Sequence, residues 1–384
     1  MPLSNTRPAR TPTGDPWLLT PGPLTTSPTV KQAMLHDLGS RDKTFIDVTQ
    51  RMREQLLGIV ADRGTHECVL LQGSGTFIVE AMIACFVPRD GKLLVLVNGA
   101  YGQRICRIAE VAGRPFSVLE WAENEPVDVV ALDQALSADP AITHVTVIHC
   151  ETTSGILNPI AQIADVVANH CRGLLIDSMS AFGALELDCN ALPFDAVVAS
   201  SNKCLEGVPG MGFCIARREA LVKTQGNAQA LSLDLYAQWQ GFEQNGQWRF
   251  TPPVQCLLAF DQALTEFEAE GGVAGRGSRY RENRDRLVNG MRELGFQTLL
   301  PDELQAPIIV TFLMPSHPAF DFARFYELLS DAGYVIYPGK LTVADSFRIG
   351  CIGRLGVKQI DGALRCISHA LESLGVELAA KATV

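Results

Sequence analysis

One lysine of this chain lies where it could act as a nucleophile. An apolar run, 196–199, predicts a buried strand, and Lys203 follows it in a loop that ends in the Gly-Val-Pro-Gly segment 207–210. Burial beside an apolar strand disfavours the charged ammonium and leaves a free amine, which attacks carbonyl compounds. Because a loop lysine is more commonly a solvated surface charge, the interpretation depends on the groups around Lys203.

A glycine-rich turn between a predicted strand, 68–72, and a predicted helix, 77–85, could bind a phosphate. Ser74, Gly75 and Thr76 lie in this turn. Small residues there let backbone N–H groups converge on an anion at the start of the helix, and the two hydroxyls add donors. The turn has neither the Gly-Lys-Ser/Thr of a Walker loop nor a complete dinucleotide fingerprint, so a nicotinamide dehydrogenase is not indicated. An ordinary tight turn is the alternative.

Three further polar side chains, Tyr101, Thr152 and Asp177, follow predicted strands. Strands that alternate with helices predict right-handed crossovers and a mostly parallel sheet, whose ligands bind at the carboxyl ends of the strands. These side chains could therefore line one cleft with Lys203. Pyridoxal phosphate needs such a set: an amine for its aldehyde, an acid for its ring nitrogen, a flat side chain over its ring and donors for its phosphate.

The chain resembles the class-V, fold-type I pyridoxal-phosphate-dependent aminotransferases. The most specific matching segments are 20–24, 39–42 and 202–210, and the resemblance covers residues 19–376. It implies an α/β fold with a mostly parallel central sheet flanked by helices and a small C-terminal α+β domain.

We expect three parts along the chain. Residues 1–18 are predicted to be a disordered tail, 19–272 a large cofactor-binding domain that begins with a segment rich in proline and glycine, and 273–384 the small domain.

The resemblance also implies roles for single residues. Lys203 is expected to bond to the cofactor aldehyde and later to move the substrate proton, and Asp177 to pair with the ring nitrogen. The other expected cofactor contacts are Ser74, Gly75, Thr76, Tyr101, Thr152 and Asn202, with Trp248 and Thr251 coming from a neighbouring subunit of a homodimer. Arg348 is expected to bind the substrate's acidic group, and Arg41 and Thr25 are candidate extra donors for a phosphonate. The structural alternatives are a loop cap for Asp177, a core position for Tyr101 and a surface ion pair for Arg348.

The branch of the family that the chain most resembles transfers the amino group of 2-aminoethylphosphonate to pyruvate in phosphonate catabolism. An aminotransferase of the alanine:glyoxylate or serine type is the alternative, because it would share every cofactor contact. A non-catalytic aminotransferase-like regulator fused to a DNA-binding module is an alternative of another class. The absence of a helix-turn-helix-sized segment before Leu19 argues against it.

The composition of the chain limits the binding partners and the cellular compartment that we expect. The chain has 384 residues, 47% of them hydrophobic, and a net charge of −10, which argues against nucleic-acid and membrane partners. Its eleven cysteines include no Cys-x-x-Cys pair, and the first fifteen residues lack the apolar run of a signal peptide. We therefore expect a cytoplasmic enzyme that takes small-molecule substrates and uses no metal.

Overall fold

The structure is a computed structural model that describes residues 8–341 and 344–378. Fourteen strands lie in these residues: β1 (Trp17–Leu18), β2 (His66–Gln72), β3 (Lys92–Val97), β4 (Phe116–Glu120), β5 (Ile142–Ile148), β6 (Cys150–Glu151), β7 (Ile156–Leu157), β8 (Gly173–Asp177), β9 (Ala196–Ser200), β10 (Met211–Arg217), β11 (Ile309–Leu313), β12 (Tyr334–Val335), β13 (Tyr337–Pro338) and β14 (Ser346–Gly350).

The same residues form twelve α-helices: α1 (Pro28–Ala33), α2 (Lys43–Ile59), α3 (Gly75–Phe86), α4 (Ala100–Val111), α5 (Val129–Ala138), α6 (Ile160–Asn169), α7 (Arg218–Val222), α8 (Leu235–Asn245), α9 (Val254–Ala269), α10 (Gly272–Glu293), α11 (Phe322–Asp331) and α12 (Val357–Leu374).

A seven-stranded sheet forms the centre of the large core. Its order is β2-β10-β9-β8-β5-β3-β4, and every pair is parallel except the two that involve β10. All residues of β9 are buried, as expected for a strand covered on both faces. The predicted α/β fold with a mostly parallel central sheet flanked by helices is confirmed. The carboxyl ends of β8 and β9, which precede Ser178 and Ser201, lie side by side.

A second hydrophobic cluster occupies the C-terminal part of the chain. The antiparallel sheet β11-β14-β13 packs there with α11 and α12, and the end of α10 contributes Leu287 and Met291. The division of the chain between residues 272 and 273 stays a prediction. The helix α10 begins at Gly272, the last residue of the predicted large domain. Gly275 and Gly277 lie inside it, where a side chain would collide with the carbonyl oxygens of Glu270 and Ala184.

The prediction of a disordered tail over residues 1–18 is wrong for residues 8–18. Strand β1 pairs in parallel with β12, and the Ala9 N–H donates to the Ala332 carbonyl over 2.9 Å. Ala9 and Trp17 pack against the C-terminal hydrophobic cluster, so burial of apolar surface orders this segment. Residues 1–7, the rest of the predicted tail, lie outside the described residues.

Two further findings concern the whole of the described chain. None of the helices described is both long and apolar enough to cross a bilayer. All eleven cysteines are free thiols, and six of them are buried.

Candidate active site

Lys203 stands three residues beyond β9, beneath the segment rich in proline and glycine (19–25, hereafter the Pro-Gly segment). Its Nζ donates to the Pro21 carbonyl over 2.6 Å. The surrounding protein excludes water from the ammonium group of Lys203, and this desolvation lowers its pKa. Gly22 has a φ of +128°, and a Cβ at this position would lie 2.7 Å from Nζ. The Pro-Gly segment can therefore cross so closely over the lysine only with glycine at position 22.

A cavity of about 210 Å³ opens beside Lys203. It brings together eight residues that the sequence places in the site: Ser74, Gly75, Thr76, Tyr101, Thr152, Asp177, Asn202 and Lys203. They come from the carboxyl ends of several strands, as the position rule for parallel sheets predicts. Their roles toward a cofactor remain predictions.

The start of α3 lines one part of this cavity, hereafter the phosphate end. Ser74 is the N-cap, makes no capping hydrogen bond with its side chain, and is followed by the first N–H groups of the helix. Such N–H groups have no partner within a helix and attract anions. Arg104, which also lines the cavity, donates from Nη1 to the Thr76 hydroxyl over 3.4 Å. The combination suits a phosphate group.

Asp177 ends β8 at the floor of the cavity. Its Oδ1 accepts from the Met179 N–H over 2.9 Å. Burial raises the pKa of Asp177 to about 6, with a smaller contribution from the nearby charge of Glu151. A carboxyl group in this position is best stabilised by a cationic N–H partner, because such a partner compensates the lost hydration.

Glu151 and Arg104 are site residues that the sequence interpretation missed. The buried Glu151 carboxylate accepts from the Tyr101 and Gly102 N–H groups over 3.2 and 3.3 Å, so it fixes the start of α4 and with it Tyr101. Burial raises the pKa of Glu151. The guanidinium of Arg104 lies 4.8 Å from the Tyr101 ring centroid. Arg104 lies three residues after Tyr101 on the same helix, and this spacing could have indicated that the two side chains are neighbours. Glu151 directly precedes the predicted site residue Thr152, and this position could have indicated that it belongs to the site.

Arg348, on β14, does not line the cavity itself but contacts its lining residue Thr152, and it is fully buried, so it is not a surface ion pair. Its Nη1 donates to the Thr152 carbonyl over 2.7 Å, and its Nε and Nη2 donate to the Pro338 carbonyl over 3.1 and 3.0 Å. Burial lowers the pKa of Arg348. These contacts engage three of the five N–H groups of the guanidinium and leave two for a ligand.

Four predicted site residues lie away from this cavity. The Thr25 hydroxyl accepts from the Leu18 N–H over 2.9 Å and lines another cavity, so its expected role as a substrate donor gains no support from this cavity and stays a prediction. Arg41 is exposed just before α2 and lines no wall of the site, which removes the support for its role. The Trp248 Nε1 donates to Thr49, and Thr251 is exposed. Because one chain is described, a contribution of Trp248 and Thr251 to a neighbouring subunit stays a prediction.

Sequence comparison finds a family match over most of the chain. Residues 29–343 match the family described as aminotransferase class-V. The chain is 53% identical to 2-aminoethylphosphonate--pyruvate transaminase 2 of Burkholderia lata, over 94% of this chain and 96% of that protein. It is 52% identical to the 2-aminoethylphosphonate--pyruvate transaminase of Rhizobium meliloti, over 95% of this chain and 96% of that protein.

Solved structures resemble the fold over nearly its whole length. Pyridoxamine-pyruvate aminotransferase from Mesorhizobium loti superposes with a TM-score of 0.87 at 25% identity, covering 96% of this chain and 95% of that one. Alanine--glyoxylate aminotransferase from Nostoc sp. superposes with a TM-score of 0.85 at 22% identity, covering 96% and 97%, which supports the fold alone.

Proposed function

The chain belongs to the class-V aminotransferases, and on this premise we propose that it transfers the amino group of 2-aminoethylphosphonate to pyruvate, giving phosphonoacetaldehyde and L-alanine. It is a pyridoxal-phosphate-dependent aminotransferase. The observation that carries the substrate assignment is an identity of 53% and 52%, over nearly the full length, to proteins named for this reaction. The proposed role is the use of phosphonates as nutrients.

The cavity fits the cofactor in three respects. The N-terminus of α3 and Arg104 would hold its phosphate, Asp177 its ring nitrogen, and Tyr101 would lie against its ring. Ser200 Oγ is buried at the cavity wall and has no hydrogen-bond partner among the described residues, so a polar ligand would satisfy it. When bound, pyridoxal phosphate supplies an aldehyde that takes up an amino group and a ring that accepts electrons.

Each protein group then has a defined task. The lowered pKa of Lys203 favours the free amine at Nζ, which can take a proton from the substrate carbon that bears nitrogen. With the cofactor bound, the Asp177 carboxylate would stabilise positive charge at the ring nitrogen. The Pro-Gly segment excludes water above Lys203 because Pro21 and Gly22 lie directly on it. Arg348 orients the substrate through its two uncommitted N–H groups.

We further propose a homodimer in the cytoplasm. Thr251 and Phe250 are exposed, the latter by 43%, and Phe77 beside the phosphate end of the cavity is exposed by 51%. We propose that a subunit contact covers these exposed aromatic side chains. Eleven unpaired thiols favour a reducing compartment.

An amine-donor screen tests the substrate assignment. The purified holoenzyme is offered 2-aminoethylphosphonate, L-alanine and L-serine in turn, with pyruvate or glyoxylate as the acceptor, and the products are identified. We expect 2-aminoethylphosphonate with pyruvate to give the highest kcat/KM. A protein that uses alanine or serine with glyoxylate, but never 2-aminoethylphosphonate, would contradict the proposal.

A lysine variant serves as the control for the chemistry. Lys203→Ala should lower kcat at least about 10³-fold, because the proton-transferring amine is lost. Lys223→Ala, at an exposed position on the protein surface, should retain full activity.

A further inference from the structure

Lys340 lies close to the candidate active site, and none of the roles described above belongs to it. It follows β13, and its Nζ is 5.5 Å from the centroid of the Tyr101 ring. The side chain is exposed, and no carboxylate of the described residues pairs with it within 4.0 Å. The positive charge of Lys340 is therefore free for a ligand that enters beside Tyr101.

The loop of Lys340 is attached to the same strand as Arg348. The Pro338 carbonyl, two residues before Lys340, accepts from the Arg348 guanidinium. The Gly339 N–H donates to the Ser346 carbonyl, on β14, over 3.0 Å. The loop that carries Lys340 and the strand that carries Arg348 are thus held together.

A phosphonate poses a charge problem that a carboxylate does not. A fully ionised phosphonate carries two negative charges and three acceptor oxygens, whereas a carboxylate carries one charge and two oxygens. One guanidinium balances one of these charges, and an uncompensated charge in a cavity is costly. A site that binds a phosphonate dianion well therefore needs a second cation beside Arg348.

The other cations at the cavity have different positions. Lys203 is beneath the Pro-Gly segment and donates to the Pro21 carbonyl. Arg104 contacts Thr76 at the phosphate end. Lys340 instead lies beside the Tyr101 ring, on the loop whose Pro338 carbonyl accepts from Arg348.

We propose that Lys340 binds the phosphonate oxygens of the donor together with Arg348, and that this second charge makes the site prefer a phosphonate to a carboxylate. The inference rests on the proposed function for the identity of the donor. An ammonium has three donors on a flexible stem, so Lys340 can move from the Tyr101 ring to an oxygen of the ligand. Substrates that carry only a carboxylate are bound by Arg348 and depend little on Lys340.

Binding of amine-free ligands to the holoenzyme tests the contact without turnover. Ethylphosphonate and propionate are titrated calorimetrically at about pH 8, where a substantial fraction of an alkylphosphonate is dianionic. For Lys340→Met we expect the Kd of ethylphosphonate to rise about 10-fold or more and that of propionate to change less than about threefold. Lys340→Arg should restore most of the affinity, and Lys358→Met, at another exposed lysine, should change neither Kd.

The two half-reactions extend the test to substrates. Cofactor absorbance is followed on mixing the holoenzyme with 2-aminoethylphosphonate or with L-alanine, and Lys340→Met should slow the first at low concentration far more than the second. Equal losses for both substrates and both ligands, or no loss for any, would overturn the proposal. If the unmodified enzyme binds ethylphosphonate through Lys340 but does not convert 2-aminoethylphosphonate, the phosphonate contact stands and the proposed function falls.

Discussion

At the scale of single residues, the same physical effect moves two key groups in opposite directions. Withdrawal from water lowers the pKa of Lys203 and raises that of Asp177 to about 6. Desolvation disfavours the charged form of each, so it favours a neutral amine and a neutral carboxyl group. A bound ring nitrogen would reverse the effect for Asp177 alone, because only that carboxylate would gain a cationic partner.

Asp177→Asn is therefore expected to stabilise the cofactor-free protein in a pH-dependent way. The pKa of Asp177 is about 6 in the folded protein against an ordinary 3.8. As the pH rises through this window, the unfolded chain loses the proton first, so the aspartate costs stability, about 3 kcal/mol above pH 6 as an upper bound. Asparagine cannot ionise and avoids this loss.

Urea unfolding of the cofactor-free proteins checks this prediction. The variant should match the unmodified protein near the ordinary pKa of 3.8 and exceed it in the free energy of unfolding above pH 6. Asp331→Asn, at an exposed position, is the control. A stability difference that does not change with pH would contradict the assignment of a raised pKa.

At the scale of elements, the Pro-Gly segment is the part of the fold that closes over the lysine. Gly22→Ala is expected to displace it, because the new Cβ would meet Lys203 Nζ at 2.7 Å and the φ of +128° disfavours alanine. We expect a loss of about 1–2 kcal/mol in stability and a fall in kcat larger than the rise in KM. Gly14→Ala, with a positive φ and open space around it, separates the backbone cost from the contact with Lys203. Comparable kcat losses in both variants would contradict this role.

The helix α10 links the lysine loop to the segment after β14. Glu206 accepts from Arg279 Nη2 and from the Tyr280 hydroxyl, each over 2.6 Å. Arg279 also donates to the Gly353 and Leu355 carbonyls over 2.6 and 2.8 Å. The loop that begins with Lys203 and the strand that carries Arg348 are thus joined through two neighbouring side chains of one helix.

Glu206→Ala should accordingly be strongly destabilising. It removes a carboxylate that is 3% exposed and leaves Arg279 and the Tyr280 hydroxyl without that partner, at an expected cost of about 3 kcal/mol. Glu327→Ala breaks the exposed pair with Arg324 and should cost less than about 1 kcal/mol. The midpoints of urea unfolding of the two variants are compared. Equal losses of stability would show that the buried network around Glu206 stabilises the protein no more than an exposed ion pair does.

At the scale of the whole molecule, the features that could be predicted from the sequence are those set by the order of strands and helices along the chain. Alternating strands and helices imply a parallel sheet, and a parallel sheet implies that residues after its strands meet, as Ser74, Tyr101 and Asp177 do. Contacts between distant segments had no local signal. The pairing of Trp17 with Tyr334 and the turning of Thr25 toward Leu18 depend on how the C-terminal cluster packs against the N-terminal segment. The position of Lys340 over Tyr101 is of the same kind.

A hybrid of two inactive chains tests whether two subunits share each site. Thr251 is exposed and outside the cavity of its own chain, so Thr251→Asp should abolish activity by placing a negative charge at a partner's cofactor phosphate. When chains with Lys203→Ala and chains with Thr251→Asp assemble at random, half of the dimers are hybrids and one of the two sites in each hybrid is intact. Activity should then return to about a quarter of that of the unmodified enzyme, because a closed two-fold dimer contains two equivalent sites. If Thr251 served its own chain, both sites of every hybrid would be damaged, and the mixture would stay as inactive as its two components.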